Sequence, residues 1–75
     1  MQATDIMIHI NDILNNNQKY DIESQLREVE GVIAPRFNKD HLLVIYFNLD
    51  KTNSSFLLDK VQSTGYQAQL VGLWV

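Results

Sequence analysis

Apolar and polar residues alternate along residues 5–11, which places three isoleucines on one side and predicts a first β-strand. Three consecutive asparagines follow, a residue type that favours loops and helix N-caps, and Asn16 or Asn17 is the predicted cap. Apolar residues then recur at positions 22, 26 and 29, the spacing of one helix face, and Gly31 is expected to end this helix.

The segment from Val32 to Phe37 is apolar but contains Pro35, which cannot donate a ladder hydrogen bond, so we predict a strand at the edge of a sheet. A polar turn at residues 38–40 leads into residues 41–47, where an almost unbroken aliphatic and aromatic run predicts a central strand. The two strands are expected to pair as a hairpin.

A second helix is predicted after a loop, with Asn53 or Ser54 as its cap and Gly65 at its end. Residues 66–73 alternate again and predict a fourth strand. The order of strands and helices indicates an α+β protein with a ferredoxin-like βαββαβ fold, a four-stranded antiparallel sheet with both helices on one face. A length of 75 residues, of which 45% are hydrophobic, fits one domain over residues 1–75.

The composition excludes several classes of function. The chain has no cysteine, so a disulfide or a thiolate metal site is excluded. A net charge of -3 with interspersed signs argues against nucleic acid as a partner. No apolar run approaches the ~20 residues of a membrane span, and a soluble cytoplasmic protein is expected. The serines and acids form no recognisable catalytic pattern, which indicates that the protein is not an enzyme.

A set of residues at fixed spacing resembles the heavy-metal-associated domains of copper chaperones and metal-transporting ATPases. The set spans roughly residues 6–72 and comprises Ile22, Glu23, Leu26, Gly31, Val32, Tyr46, Phe47, Asn48, Gly65, Tyr66, Ala68 and Leu70. The resemblance implies the ferredoxin-like fold. It also implies a loop after the first strand where the family carries Gly-Met-Thr-Cys-x-x-Cys, whose thiolates hold a soft metal ion.

That loop differs in this chain. Asp12 occupies the family's glycine position, Asn15 and Gln18 occupy the two cysteine positions, and Tyr66 is expected nearby. Amide oxygens are poor ligands for soft ions, so the family's thiolate chemistry does not carry over. Two interpretations stay open: the amide side chains cap the helix, or the loop binds something, such as an anion held by the backbone amides of the helix start.

His9 and His41 are the two imidazoles of the chain, and a metal site would use them together with Met7, Asp12 or Asp40. His9 is expected to project from the first strand on the open sheet face, and His41 to begin the third strand, so convergence of the two side chains is not expected. A tetrahedral site is therefore disfavoured. The expectation is no cofactor, with a transition metal such as copper, zinc or nickel as the alternative.

Alternation also leaves apolar side chains on the sheet face without helices, and contiguous exposed apolar surface usually marks an interface. The main hypothesis is a non-enzymatic module for protein binding or self-association, possessing the family's fold without its thiolates and working within a metal-handling system. The alternative is an atypical metal-trafficking protein with His, Asp and Met ligands. The expected interface residues are Met7, His9, Ile33, Leu42, Val44, Tyr46, Val71 and Trp74.

Overall fold

The computed structural model of the protein describes residues 2–71. Its elements are β1 (Ala3–Ile10), α1 (Asn16–Arg27), β2 (Val32–Phe37), β3 (Leu42–Asn48), α2 (Ser54–Gln62) and β4 (Ala68–Val71). The α+β class and the ferredoxin-like βαββαβ order are thereby confirmed. β2 has the predicted bounds, whereas β1 and β3 are displaced slightly and β4 is shorter within the described residues.

The strands form one antiparallel sheet in the order β2-β3-β1-β4, so β1 and β3 are central and β2 is an edge strand, as predicted. The register places Met7 of β1 opposite Val44 of β3 and Val71 of β4, and His9 opposite Leu42. Side chains alternate along each strand, so these five share the sheet face that points away from the helices. We call this surface the open face.

One hydrophobic core lies between the sheet and the two helices. Its members are at most 7% exposed and comprise Ile8, Ile10, Leu14, Ile22, Leu26, Leu43, Ile45, Phe47, Leu57 and Val61. Complete burial of one such large side chain contributes about 1.5–3 kcal/mol, so this layer is the main source of stability. Within residues 2–71, neither helix has the length and apolar character needed to cross a membrane.

The N-cap of α1 is Asn15, one residue earlier than the sequence analysis placed it. The Asn15 side chain accepts the backbone N–H of Gln18, and the Gln18 side chain accepts the backbone N–H of Asn15. This reciprocal pair is a capping box. Asn53 caps α2 as predicted, by accepting the N–H of Phe56.

Gly31 does not end α1, because the helix stops at Arg27 and Glu28 is its C-cap. Gly31 instead lies in the turn before β2 with a φ of 98°, in the left-handed region that glycine adopts without strain. A Cβ at this position would lie 2.6 Å from the Cβ of Lys51. The turn therefore requires glycine for two reasons, its backbone conformation and the close approach of a neighbouring loop.

Candidate functional site

The structure brings the two histidines together. The rings of His9 and His41 are stacked, with centroids 5.6 Å apart and an interplanar angle of 22°. The expectation that they do not converge is therefore wrong. Antiparallel pairing of β1 with β3 is the reason: the backbone N–H of Ile10 donates to the carbonyl of His41 at 2.9 Å, which holds His41 beside the end of β1.

The imidazole of His41 is oriented by the same stretch of β1. Its Nδ1 lies 2.8 Å from the carbonyl oxygen of Ile10. A carbonyl oxygen only accepts hydrogen bonds, so Nδ1 carries the proton and Nε2 of the neutral ring carries the lone pair. Metal-binding histidines commonly donate their other ring N–H to a carbonyl or carboxylate in this way. His41 is therefore prepared to coordinate an ion through Nε2.

His9 is half-buried, and its Nδ1 has an unusual environment. This nitrogen is buried and has no hydrogen-bond partner among residues 2–71. Leaving a buried polar atom unsatisfied costs about 1–3 kcal/mol. A rotation of the His9 ring that brings this nitrogen to a partner, such as a metal ion, would remove that cost.

The distance between the ring centres would allow both imidazoles to bind one ion. An imidazole nitrogen binds Zn²⁺ at about 2.0–2.1 Å, so two ring centres around one ion lie up to about 6 Å apart, and the observed separation is 5.6 Å. The rings are stacked, however, and the lone pairs of their nitrogens lie in nearly parallel ring planes, so both nitrogens reach one ion only after at least one ring rotates. Among residues 2–71, no three His, Cys, Asp or Glu side chains are grouped so as to hold a metal ion. One chain thus offers two imidazoles, half of a usual tetrahedral set.

The carboxylates near the histidines are engaged elsewhere. Asp12, the predicted third ligand, accepts the backbone N–H of Gln67 through Oδ2 at 3.3 Å. Asp40, which precedes His41, forms an exposed ion pair with Lys19 at 3.1 Å. Within the part of the chain that the structure describes, neither carboxylate forms a metal-binding group with the two imidazoles.

The β1–α1 loop, which lies at the position of the family's metal site, is hydrogen-bonded to the start of α1. Asn15 and Gln18 exchange hydrogen bonds of 2.8 Å and 2.9 Å with each other's backbone N–H groups. Leu14 is buried in the core, whereas Ile13 is 90% exposed. The amide oxygens serve the helix start, which supports the capping interpretation of this loop. Tyr66 lines a polar cleft together with Asn11, Gln62 and Gln69.

The open face carries exposed apolar side chains. Met7 is 41% exposed, Tyr46 46% and Val71 37%, and Leu42 and Val44 are half-buried among them. Exposed apolar residues that lie together, unlike scattered ones, often belong to a binding surface.

Two of the expected interface residues stand apart from this group. Ile33 is 50% exposed, but the pairing of β2 with β3 shifts between Val32 and Ala34, so alternation does not assign its face. Trp74 lies outside the described residues.

Solved structures share this fold at low sequence identity. A copper-binding domain from HMA7, a P-type ATPase, is 13% identical with a TM-score of 0.83, and the match covers 91% of this chain and 93% of that one. The N-terminal domain of a potential copper-translocating P-type ATPase from Bacillus subtilis, in its Cu(I)-loaded state, is 21% identical with a TM-score of 0.80, covering 92% and 88%. The apo copper chaperone of Enterococcus hirae is 18% identical with a TM-score of 0.78, covering 88% and 98%. No protein-family model and no curated protein matches the chain.

These likenesses confirm the resemblance to heavy-metal-associated domains at the level of the fold. They also correct one expectation. The prediction that no cofactor is involved is contradicted, because the three similar structures named above are described as copper-binding, Cu(I)-loaded or a copper chaperone, which points toward a metal ion. The chain contains no cysteine, so it offers no thiolate pair as a metal-binding group.

Proposed function

We propose that this chain is a metal-handling domain that holds a transition-metal ion as cargo through the imidazoles of His9 and His41. One observation carries the proposal: the ring centres of the two imidazoles lie 5.6 Å apart, with Nδ1 of His41 bonded to a carbonyl and Nδ1 of His9 without a partner among residues 2–71. The likeness in fold to copper-binding domains supports a metal-handling role.

The donor type narrows the choice of ion. Imidazole nitrogen suits copper, zinc and nickel, whereas the thiolate sites of the related fold suit softer ions such as Cu(I). We therefore propose Cu(II), Zn(II) or Ni(II) as the cargo. His41 would bind through Nε2, because its Nδ1–H donates a hydrogen bond to the carbonyl oxygen of Ile10. His9 would supply the second nitrogen from strand β1 after its ring rotates, because Nδ1 is buried in the observed arrangement.

A second candidate function is protein binding through the open face, which the exposed side chains of Met7, Tyr46 and Val71 favour. The two functions are compatible, because the register puts His9 on the same face. A protein that receives or delivers the ion would then approach this face. We keep the prediction of a non-enzymatic, cytoplasmic protein without a nucleic-acid or membrane partner.

Calorimetric titration of the protein with Cu(II), Zn(II) and Ni(II) at about pH 7.5 tests the metal proposal, since imidazole binds ions in its neutral form. Saturating heat is expected with at least one ion, and a His9→Ala/His41→Ala variant is expected to lose it. The matched control is Asn15→Ala/Gln18→Ala, which removes the same number of polar side chains from the loop and should keep the binding. Circular dichroism checks that every variant is folded.

Two results would contradict the proposal. One is the absence of heat with all three ions. The other is heat that is unchanged in the variant without imidazoles, which would place the ion elsewhere in the chain.

A further inference from the structure

We infer that the open face binds a second copy of this chain, in a symmetric dimer whose copies exchange ion pairs between Asp5 and Arg36. The inference rests on the second proposed function, protein binding through the open face, and adds to it the identity of the partner. The contact needs no metal ion, because it depends only on charged and apolar side chains of the sheet.

One acid and one base flank the apolar centre of the open face. The register places Asp5 of β1 opposite Tyr46, and Arg36 of β2 opposite Val44. Both charged residues are exposed. Among residues 2–71, neither forms a salt bridge, so both charges are available to a partner.

The positions of these two charges allow a second copy to pair with both at once. Asp5 and Arg36 are separated by two strand spacings of about 4.8 Å and by two residues along the strands, so they lie roughly 12 Å apart. A two-fold axis makes each contact of an interface occur twice. An axis that lies between the two sheets, midway between Asp5 and Arg36 and perpendicular to the line joining them, puts each residue opposite the other type in the second copy. Both ion pairs then form together.

The same axis brings apolar side chains against their own equivalents. The midpoint between the two charged residues falls on β3, between Tyr46 and Val44. In projection onto the sheet, Tyr46, Val44 and Met7 all lie about 2 Å from the axis. Tyr46 is 46% exposed and Met7 41% exposed, so the contact removes apolar surface from water and is stabilised by its burial.

The other way for two sheets to join, by pairing edge strands, is unfavourable at β2. A strand added there would need outward backbone donors. Pro35 has no N–H, and the N–H of Phe37 donates to a carboxylate oxygen of Glu23 at 3.1 Å. The open face is therefore better suited than the β2 edge to bind a second copy.

The size of the open face predicts a reversible dimer. Four strands about 4.8 Å apart and roughly 20 Å long cover about 400 Å² per copy, so two copies cover about 800 Å² together. Stable specific interfaces bury about 1,200–2,000 Å² in total, and transient ones bury less. We therefore expect a dimer at about 0.5 mM protein that dissociates on dilution to about 1 µM.

Sedimentation equilibrium of the whole chain in the presence of a chelator tests the inference. Asp5→Arg and Arg36→Asp each put like charges opposite one another at both pairs, so each variant should dimerise at least about tenfold more weakly. Asp59→Arg is the matched control, because it makes the same charge change at an exposed residue of α2, on the other side of the sheet. This control should dimerise like the unmutated chain.

Two combinations of these substitutions make the test independent of folding defects. The Asp5→Arg variant carries two bases on the open face and the Arg36→Asp variant two acids, so an equimolar mixture should form heterodimers although each variant alone is monomeric. The exchanged variant Asp5→Arg/Arg36→Asp restores both ion pairs and should dimerise again.

The outcomes separate the inference from the proposed functions. A monomer at about 0.5 mM, a dimer that both charge reversals leave unchanged, or a mixture without heterodimers overturns the inference. Binding of a different protein to the open face while this chain stays monomeric also overturns it, but leaves protein binding as a function. Calorimetry that shows no heat with Cu(II), Zn(II) or Ni(II) overturns the metal role and leaves the dimer.

Discussion

Two regions next to the end of β1 differ in how their polar atoms are used. In the β1–α1 loop, Asn15 and Gln18 satisfy each other's backbone N–H groups, and Asp12 accepts an N–H near β4. In the His9–His41 pair, Nδ1 of His9 has no partner among the described residues. The polar side chains of the loop therefore have their hydrogen-bond partners within the fold, whereas the imidazole pair has a ring nitrogen that a ligand could still bind.

The difference bears on the metal proposal. At the loop position where the resemblance implies a thiolate site, this chain has a helix cap. The proposed nitrogen donors lie instead on strand β1 and in the turn before β3. The proposed ion site would thus lie toward the open face and not on the helix side of the domain.

The largest expected effect concerns ion-dependent stability. An ion at 100 times its dissociation constant stabilises the protein that binds it by about 2.7 kcal/mol. Thermal unfolding with excess Zn(II) should show this increase in the unmutated protein and none in His9→Ala/His41→Ala. An equal increase in both would contradict the assignment of the site to the imidazole pair.

Acid should weaken the binding strongly. An ion must compete with protons for imidazole nitrogen, so the affinity is expected to fall by about tenfold or more between roughly pH 7.5 and pH 5.5. Competition titrations with a chelator at both pH values measure the change. An affinity independent of pH in this range would indicate oxygen ligands instead of imidazoles.

Introducing two thiolates into the β1–α1 loop tests whether the loop and the imidazole pair act independently. An Asn15→Cys/Gln18→Cys variant should gain binding of Cu(I), because two thiolates suit this ion. It should also lose about 1–2 kcal/mol of unfolding free energy, since the capping box disappears. Urea unfolding measures the loss, and Cu(I) competition measures the gain. The new site should persist when both histidines are replaced by alanine, and its loss there would show that the two regions are not separate.

The smallest expected effect is that of removing the N-cap of α1 without touching the imidazole pair. Asn15→Ala is expected to lower the unfolding free energy by about 1 kcal/mol, the usual cost of an N-cap. Its Zn(II) affinity should equal that of the unmutated protein, because Asn15 is bonded to Gln18 and to no histidine. Urea unfolding and calorimetry on the same sample provide both values. A reduced Zn(II) affinity would mean that the loop takes part in the site.

The fold was predictable because it depends on periodicity. Ile8 and Ile10 of β1 are buried as the alternation predicts, and Pro35 lies in an edge strand. In β3 every second residue of the apolar run is buried, namely Leu43, Ile45 and Phe47. The cap was misplaced among three consecutive asparagines, although Gln18, three residues after Asn15, completes a capping box and was the signal that selects it.

The imidazole pair was not predictable from the same patterns. His41 was assigned to the third strand, where alternation would fix its face relative to His9. The strand begins at Leu42, so His41 is free of that alternation and its ring turns onto His9. Whether the two imidazoles meet thus depends on the exact residue at which β3 begins. The backbone hydrogen bond from the N–H of Ile10 to the carbonyl of His41, which holds the two segments together, has no recognisable sequence pattern.

The central claim is that an ion binds at the imidazole pair and not at the loop. Nuclear magnetic resonance of the isotopically labelled protein titrated with Zn(II) tests it directly, because each residue reports separately. The account predicts that the imidazole signals of His9 and His41 and the amide of Ile10 shift, while the side-chain amides of Asn15 and Gln18 stay in place. Shifts confined to Asn15 and Gln18, with both imidazoles unchanged, would contradict it.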